Sequence, residues 1–233
     1  MIQNRRLQPE LMDQPDLDPA LHVQALRGLQ RINVISRSAA ILWPPLAALA
    51  KETTRPLRVL DIACGGGDNA VAVARLATRA GVSITIDGCD ISPCAVEEAQ
   101  RRSTAAQLSN VQFFARDVLA QPLPDRYDVI MTSLFLHHLP EQQAVDLLAS
   151  MAKAAHRAVL VCDLQRSWLG YGLAWVGCHM LTTSPIVHVD GPRSVEAAFA
   201  ADEISKLAMR SGLDGAIITH HWPQRWLLAW RKS

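Results

Sequence analysis

Four short apolar runs, each ending in glycine, acid or hydroxyl residues, set the rhythm of the chain. The first, Val59-Leu60-Asp61-Ile62-Ala63, stops at Gly65-Gly66-Gly67, and beyond Asp68 the text turns alanine-rich and helix-compatible. A brief apolar run bounded by glycine reads as a buried strand, so the glycines occupy a strand-to-helix turn. The pattern recurs from Ser83 to Cys89, ending in Asp90, then from Asn110 to Val118 with Asp117 near its end, then from Tyr127 to Ser133. A fifth run, Arg157 to Asp163, is apolar on both faces, as a central parallel strand is. Helical periodicity fills the gaps: Pro93 to Ala106 with Ser92 as N-cap, and Glu141 to Ala155 with Leu147, Leu148 and Met151 inward. Pro122 to Asp125 is a loop. Strand and helix in alternation predict an α/β fold, a doubly wound, mostly parallel sheet.

The flanks are of another character. Residues 1–19 are polar and punctuated by Pro9, Pro15 and Pro19, which predicts an irregular arm. A helix then starts at Pro19 with Asp18 as N-cap and a stripe of Leu21, Ala25, Leu29, Ile32 and Ile35. A second runs from Ser36 to Trp43, is interrupted at Pro44-Pro45 and resumes to Lys51. These segments are expected to cap the ligand crevice, with His22, Arg27, Arg31 and Asn33 as polar candidates to touch substrate; the competing reading is a solvated helix face. After Leu164, the segment Gln165 to Pro192 is rich in aromatics and predicts a helical lid, with His188 to Ser194 as its closing turn. Asp202 to Gly212 restores a helix, and Ala216–His220 with Arg225–Trp230 form a final antiparallel hairpin.

Composition narrows the function classes. A chain of 233 residues with net charge +1 builds one large domain and lacks the basic face of a nucleic-acid protein. Five cysteines without C-x-x-C spacing read as reduced, packed thiols of a cytoplasmic protein. No signal-peptide core follows the first residues, and Trp168 to Leu181 is shorter than the about 20 residues a bilayer span takes. A homodimer is left open.

Glycines at the first turn bring backbone amides and a helix N-terminus to a ligand, a nucleotide-type cradle. Asp90, about twenty residues on, stands where ribose-binding acids sit in doubly wound sheets. Asp61-x-Ala63-x-Gly65-x-Gly67, Asp90-Ile91-Ser92, Ala115-Arg116-Asp117-Val118, Tyr127-Asp128-Val129-Ile130 and Leu136-His137-His138-Leu139 resemble, in order, the motifs of class I S-adenosylmethionine (SAM)-dependent methyltransferases. The likeness covers roughly Pro56 to Leu164 and is closest to the ubiquinone/menaquinone C-methyltransferase-like and small-molecule O-methyltransferase branch. It implies a Rossmann-like seven-stranded sheet with an antiparallel last strand, residues 1–55 as arm and cap, and residues 56–233 as the SAM-binding domain with a lid at about 165–195. Ala63 departs from the pattern, since many members carry glycine there; a slightly displaced ligand is expected.

The resemblance further implies that Asp61 and the Ala63-Cys64-Gly65 to Gly67 backbone face the amino-acid part of SAM. It puts the ribose on Asp90, adenine on Ile91, the adenine edge on Asp117 and Val118, and the methionine portion near Thr132 or Ser133. Methyl transfer from a sulfonium asks mainly for alignment, which can supply about 7–11 kcal/mol. A phenolic acceptor would gain from a base, for which His137, His138, His179 and His188 are candidates. The expected acceptor pocket comprises Trp168, Tyr171, Trp175, His179 and Phe199, with Arg193 for an acceptor carboxylate or for the fold's own acids. No acid follows the fourth strand and only Asp163 ends the fifth, so no metal is expected; His188-x-Asp190 offers two ligands without a third. Thr132-Ser133-Leu134-Phe135 replaces the Asn- or Asp-Pro-Pro-aromatic turn of nucleic-acid methyltransferases. The expected activity is methyl transfer to a small aromatic acceptor, on oxygen first and carbon second. Alternatives are a quinone-pathway C-methyltransferase at the membrane surface and a non-catalytic SAM-binding protein in a biosynthetic complex.

Overall fold

The computed structural model describes residues 2, 4–14 and 16–232; Pro15 of the arm lies outside them. The helices α1 (Pro19–Ile35) and α2 (Ser38–Lys51) precede β1 (Leu57–Ile62), α3 (Asp68–Ala80), β2 (Ile84–Asp90), α4 (Pro93–Ala105) and β3 (Val111–Ala115). Then follow β4 (Val129–Ser133), α5 (Glu141–Ala154), β5 (Ala158–Leu164), α6 (Trp168–Leu181), α7 (Pro185–Ala197), α8 (Ala201–Arg210), β6 (Ile217–His221) and β7 (Arg225–Arg231). The seven strands form one sheet in the order β3-β2-β1-β4-β5-β7-β6, parallel throughout except that β7 runs antiparallel to both neighbours. Strand order reverses between β1 and β4, so a crevice opens outside their carboxyl ends.

Two apolar layers hold the sheet. Leu60, Ile62, Ile130 and Trp226 pack with Leu148 of α5 and Ile204 of α8. Leu57, Val59 and Met131 pack from the other face with Leu42, Leu46 and Val73 of α2 and α3. Each fully buried aliphatic side chain contributes about 1.5–3 kcal/mol, so the period-two alternation fixes which face each strand residue takes. Both anticipated N-caps are formed: the Asp18 carboxylate accepts from the N–H of Ala20 and Leu21, and the Ser92 hydroxyl from that of Ala95.

Three expectations are corrected. Pro44 and Pro45 do not interrupt α2, which is continuous. They remove the N–H groups that would bond the carbonyls of Ala40 and Ile41, yet Pro44 points to solvent while Leu42, Leu46 and Leu49 stay buried. Core packing therefore outweighs the lost bonds. In α1, Leu21 and Ile35 are exposed, and Leu26 takes the inward place, its side chain lying 3.8 Å from where a Cβ on Gly65 would stand. The segment His188 to Ser194 is not a turn but the middle of α7. Gly191 has its place there because a Cβ would meet the Cys178 sulfur of α6 at 2.3 Å, so glycine lets the two helices touch.

The arm is laid over the α7 end of the sheet. Arg5 stacks its guanidinium 3.8 Å from the Phe199 ring centroid and donates to the carbonyls of Ala197, His137 and Leu139. Asp190 of α7 receives the N–H groups of Leu11 and Met12 at 2.9 and 3.0 Å. No single helix among the described residues is long and apolar enough to cross a membrane, and all five cysteines are free thiols.

Candidate active site

The loop after β1 is wound tightly: Ala63, Gly65 and Gly67 all have positive φ, at 51°, 52° and 71°. A Cβ on Gly67 would stand 2.7 Å from the Phe113 ring and 2.8 Å from Ala99, and one on Gly88 would stand 2.5 Å from the same ring. Neither position admits a side chain. The loop ends at the first residue of α3, so the N-terminal end of that helix adjoins it, with no side chain capping it from Gly67.

Asp90, the last residue of β2, ties the loop down. Its carboxylate accepts from the Gly65 N–H at 2.8 Å and the Ser92 N–H at 2.9 Å. Beside it Ile91 is 67% exposed, an apolar side chain presented at the crevice rim. Asp117 caps its own turn by accepting from the N–H groups of Leu119 and Ala120, and Val118 behind it is buried. The two hydroxyls at the end of β4 separate: Thr132 is fully buried and donates to the Ile62 carbonyl, whereas Ser133 is half-buried and accepts from the Asn69 amide. Only Ser133 remains on the crevice side.

Acids and arginines crowd the base of the crevice. Burial, reinforced by Asp68 and Asp90, raises the Asp61 carboxyl well above the usual range, and Asp61, Asp90, Cys89 and Asp68 add to the effect of burial in raising the half-buried Cys64 thiol likewise. Asp68 is raised by burial and held back by the Asn33 amide at 3.0 Å and by Arg102 at 3.9 Å. Arg225, at the start of β7, is buried with its Nη2 donating to the Ser36 hydroxyl.

A histidine pair stands where β4 and β5 end. His137 is buried; its Nδ1 lies 2.7 Å from one oxygen of Asp163, and its backbone N–H donates to the other at 3.1 Å. Burial pushes the Asp163 carboxyl up, but the His137 charge and hydrogen bonds from His137 and Leu164 outweigh it, and the group is held below the usual range. The carboxylate can only accept, so Nδ1 carries a hydrogen in either protonation state, and in the neutral ring the lone pair is the one on Nε2. The His138 ring lies 4.3 Å from that of His137. The arm delivers Glu10 to both, 3.8 Å from His137 Nε2 and 3.9 Å from His138 Nε2, while Ser194 donates to it at 2.5 Å. Glu10, His137 and His138 thus bring three ligand atoms within 4.8 Å of one another.

The other histidine candidates lie apart from this pair. Trp175, His179 and His188 stack in one column, with centroids 4.6 and 4.3 Å apart, and one ring nitrogen of each histidine is bonded to a backbone carbonyl. Of the His188 and Asp190 pair, Asp190 has both carboxylate oxygens engaged by N–H groups of the arm. Tyr171, Trp175, His188 and Arg193 line a cleft of about 370 Å³ against Arg6 and Glu196, and Arg193 donates to the Pro9 carbonyl. Trp168 is 65% exposed, whereas Phe199 is in the core beneath Arg5. Of the cap candidates, Arg27 and Arg31 border a groove of about 520 Å³ against Thr182, and Asn33 reaches the glycine loop's helix through Asp68. Glu10 and Arg225 are not legible in the sequence as site residues, and Asp68 is legible there only as the acid after the last glycine; each acquires its neighbours through the packing of arm, cap or hairpin.

Residues 59–157 match the methyltransferase-domain family. A ubiquinone biosynthesis O-methyltransferase of Cupriavidus pinatubonensis is 26% identical over 159 residues, 67% of this chain and 60% of that protein. Its counterpart in Thiobacillus denitrificans is 27% identical over 180 residues, 75% of this chain and 73% of that one. Among solved structures, the O-methyltransferase NcsB1 of neocarzinostatin biosynthesis, in complex with SAM and 2-hydroxy-5-methyl naphthoic acid, superposes with TM-score 0.67 at 19% identity, covering 91% of this chain and 57% of that chain. The chain therefore spans 60% of the length of the first of these relatives.

Proposed function

Taking the chain as a class I SAM-dependent methyltransferase with SAM as its cofactor, we propose that it methylates a small aromatic acceptor on a phenolic oxygen, without a metal. When bound, SAM supplies a methyl group made electrophilic by its sulfonium charge. The cradle fits such a ligand: two positions that exclude any Cβ, an exposed Ile91 and an acid tethered beside them. In this reading the Ala63 to Gly67 backbone and Ser133 face the amino-acid end, Asp90 holds the ribose, Ile91 covers adenine, and Asp117 with Val118 meets its edge.

The observation that carries the acceptor chemistry is the Asp163–His137 pair. Asp163 fixes the tautomer, so His137 Nε2 can take the phenolic proton while the carboxylate stabilises the charge the ring acquires. His138, its ring tilted alongside and partly exposed, orients the acceptor or passes the proton outward. The named activities of the two bacterial relatives and the hydroxynaphthoic acid held by NcsB1 support an oxygen acceptor on an aromatic ring. Tritium from labelled SAM should pass to hydroxylated aromatic acids, undiminished by a chelator. Transfer abolished by EDTA and restored by a divalent cation would instead assign Glu10, His137 and His138 to a metal.

A second reading, carbon methylation of a quinone precursor at a membrane surface, draws on α6, where Trp168, Leu169, Trp175 and Met180 are exposed. That helix carries no Lys or Arg to meet anionic headgroups, which disfavours it. Liposome-dependent transfer would support this reading, and SAM binding without transfer to any acceptor would leave a binding protein.

A further inference from the structure

Where the helical cap meets the glycine loop, four side chains hold buried polar atoms without a hydrogen-bond partner among the described residues: Asn33 Oδ1, Ser38 Oγ, Arg102 Nη1, and Nε and Nη1 of Arg225. Arg225 is the extreme case. It is 2% exposed and gives a hydrogen bond from Nη2 to Ser36 Oγ at 2.6 Å, leaving two of its three nitrogens unmatched. A buried guanidinium with idle donors is costly, and such a site is relieved by an incoming anion. The nearby acids do not meet that need. Asp68 is engaged by Asn33 and faces Arg102, and Asp163 is engaged by His137.

The position of Arg225 says which anion. It opens β7 opposite Leu164, the last residue of β5, so it stands at the same edge of the sheet as the cradle. Along that edge the order is β3-β2-β1-β4-β5-β7. A nucleoside placed on Ile91 and Asp90 of the β2 end, with its chain passing over Gly65 to Gly67, runs toward Asp68, Ser133 and then Arg225. The far end of SAM along that line is an α-amino acid, one carboxylate and one ammonium. Asp68 and Asn33 Oδ1 offer acceptors for the ammonium next to the guanidinium that wants the carboxylate.

We propose that Arg225 is the seat of the α-carboxylate of SAM, with the Asn33–Asp68 pair receiving the α-ammonium, so that the cap helix and the final hairpin close on the amino-acid end of the cofactor. The proposal rests on the SAM reading above. It gives Ser36 a purpose as well: by fixing Nη2 it aims the other donors inward.

Isothermal calorimetry with SAM and with decarboxylated SAM, which lacks only that carboxylate, tests it. Wild type should bind SAM about 10–100-fold more tightly than the decarboxylated analogue, the range for a hydrogen bond between charged groups. In Arg225→Gln, SAM affinity should fall by about that factor and the analogue's by less than about twofold, so the preference collapses. Arg225→Lys keeps a charge and should keep part of the preference; it carries the comparison if Arg225→Gln does not fold, as checked by thermal melting. Equal loss for both ligands would make Arg225 a purely structural residue and overturn the proposal. Unchanged SAM affinity with a raised acceptor KM would overturn it in favour of an acceptor anion. Wild type binding neither ligand would sink the cofactor reading itself, an outcome distinct from the other two.

Discussion

Asp163 grips His137 twice, at the ring Nδ1 and at the backbone N–H of the same residue. One carboxylate thereby fixes both the place of the histidine and its tautomer. Asp163→Asn keeps the shape but presents an amide that can donate to Nδ1, which would move the ring hydrogen to Nε2. The expected result is a fall in kcat of about 10²–10⁴, the usual weight of general-base help, with SAM affinity unchanged in calorimetry. Stability follows the same bond. The Asp163 carboxyl is depressed in the fold, so its contribution is present above the ordinary carboxylate range and is lost as pH falls through the folded value. Melting curves of wild type and Asp163→Asn should therefore differ at neutral pH and converge in acid.

Asp61 has the opposite sign. Burial first, then Asp68 and Asp90, raise its carboxyl, so the folded chain holds a proton that the unfolded chain gives up. Folding is then favoured at a pH below the ordinary carboxylate value and progressively less so as pH rises past it. Asp61→Asn removes that handicap and should raise stability at neutral pH by about 1–2 kcal/mol, about 2–8 °C in a chain of this size. The gain should vanish near pH 3, and SAM affinity should drop. A variant less stable than wild type at neutral pH would contradict the assignment.

Ala63 holds a left-handed backbone at φ 51°. That conformation costs a residue with a Cβ about 1–2 kcal/mol, against about 0.5–1 kcal/mol for glycine's extra freedom in the unfolded chain. Ala63→Gly is expected to be neutral to stabilising by up to about 1 kcal/mol, read as a higher urea midpoint at unchanged slope. Gly65→Ala at the same kind of angle should shift it the other way.

Asp90 spans the Gly65 N–H and the Ser92 N–H in addition to its proposed ribose role. Asp90→Ala should weaken SAM binding by about 10–100-fold, as expected for hydrogen bonds to a charged group. Full retention of affinity would remove Asp90 from the ribose site. Asp117 is shared with a turn, and the same titration on Asp117→Ala should give a smaller loss.

How far the sequence disclosed this molecule depends on how local each determinant is. The strands, their order of motifs, and the caps at Asp18 and Ser92 are written in neighbouring residues, and they stand where periodicity put them. Pro44 and Pro45 misled because a local rule was overridden by the burial of Leu42 and Leu46. The turn expected around Gly191 misled because that glycine answers to a sulfur on another helix. Glu10 could not be read at all: it is 127 residues from His137 in the chain and meets it only because Asp190 and Arg5 fasten the arm. His179 and His188 stand beside His137 as candidate bases in the sequence, yet one ring nitrogen of each is spent on a carbonyl outside the β4–β5 end.

Phe113 bears on all of this from beneath. Its ring occupies the volume that side chains on both Gly67 and Gly88 would require, so two glycines belonging to different segments answer to one aromatic ring on β3. The three positions act as a wedge and its two slots. Trimming the wedge, as in Phe113→Ala, would leave a hollow under the loop and slacken its winding without touching any atom that faces a ligand. Descendants of this chain can therefore exchange Phe113 for a smaller residue only together with compensating bulk at one of the two slots.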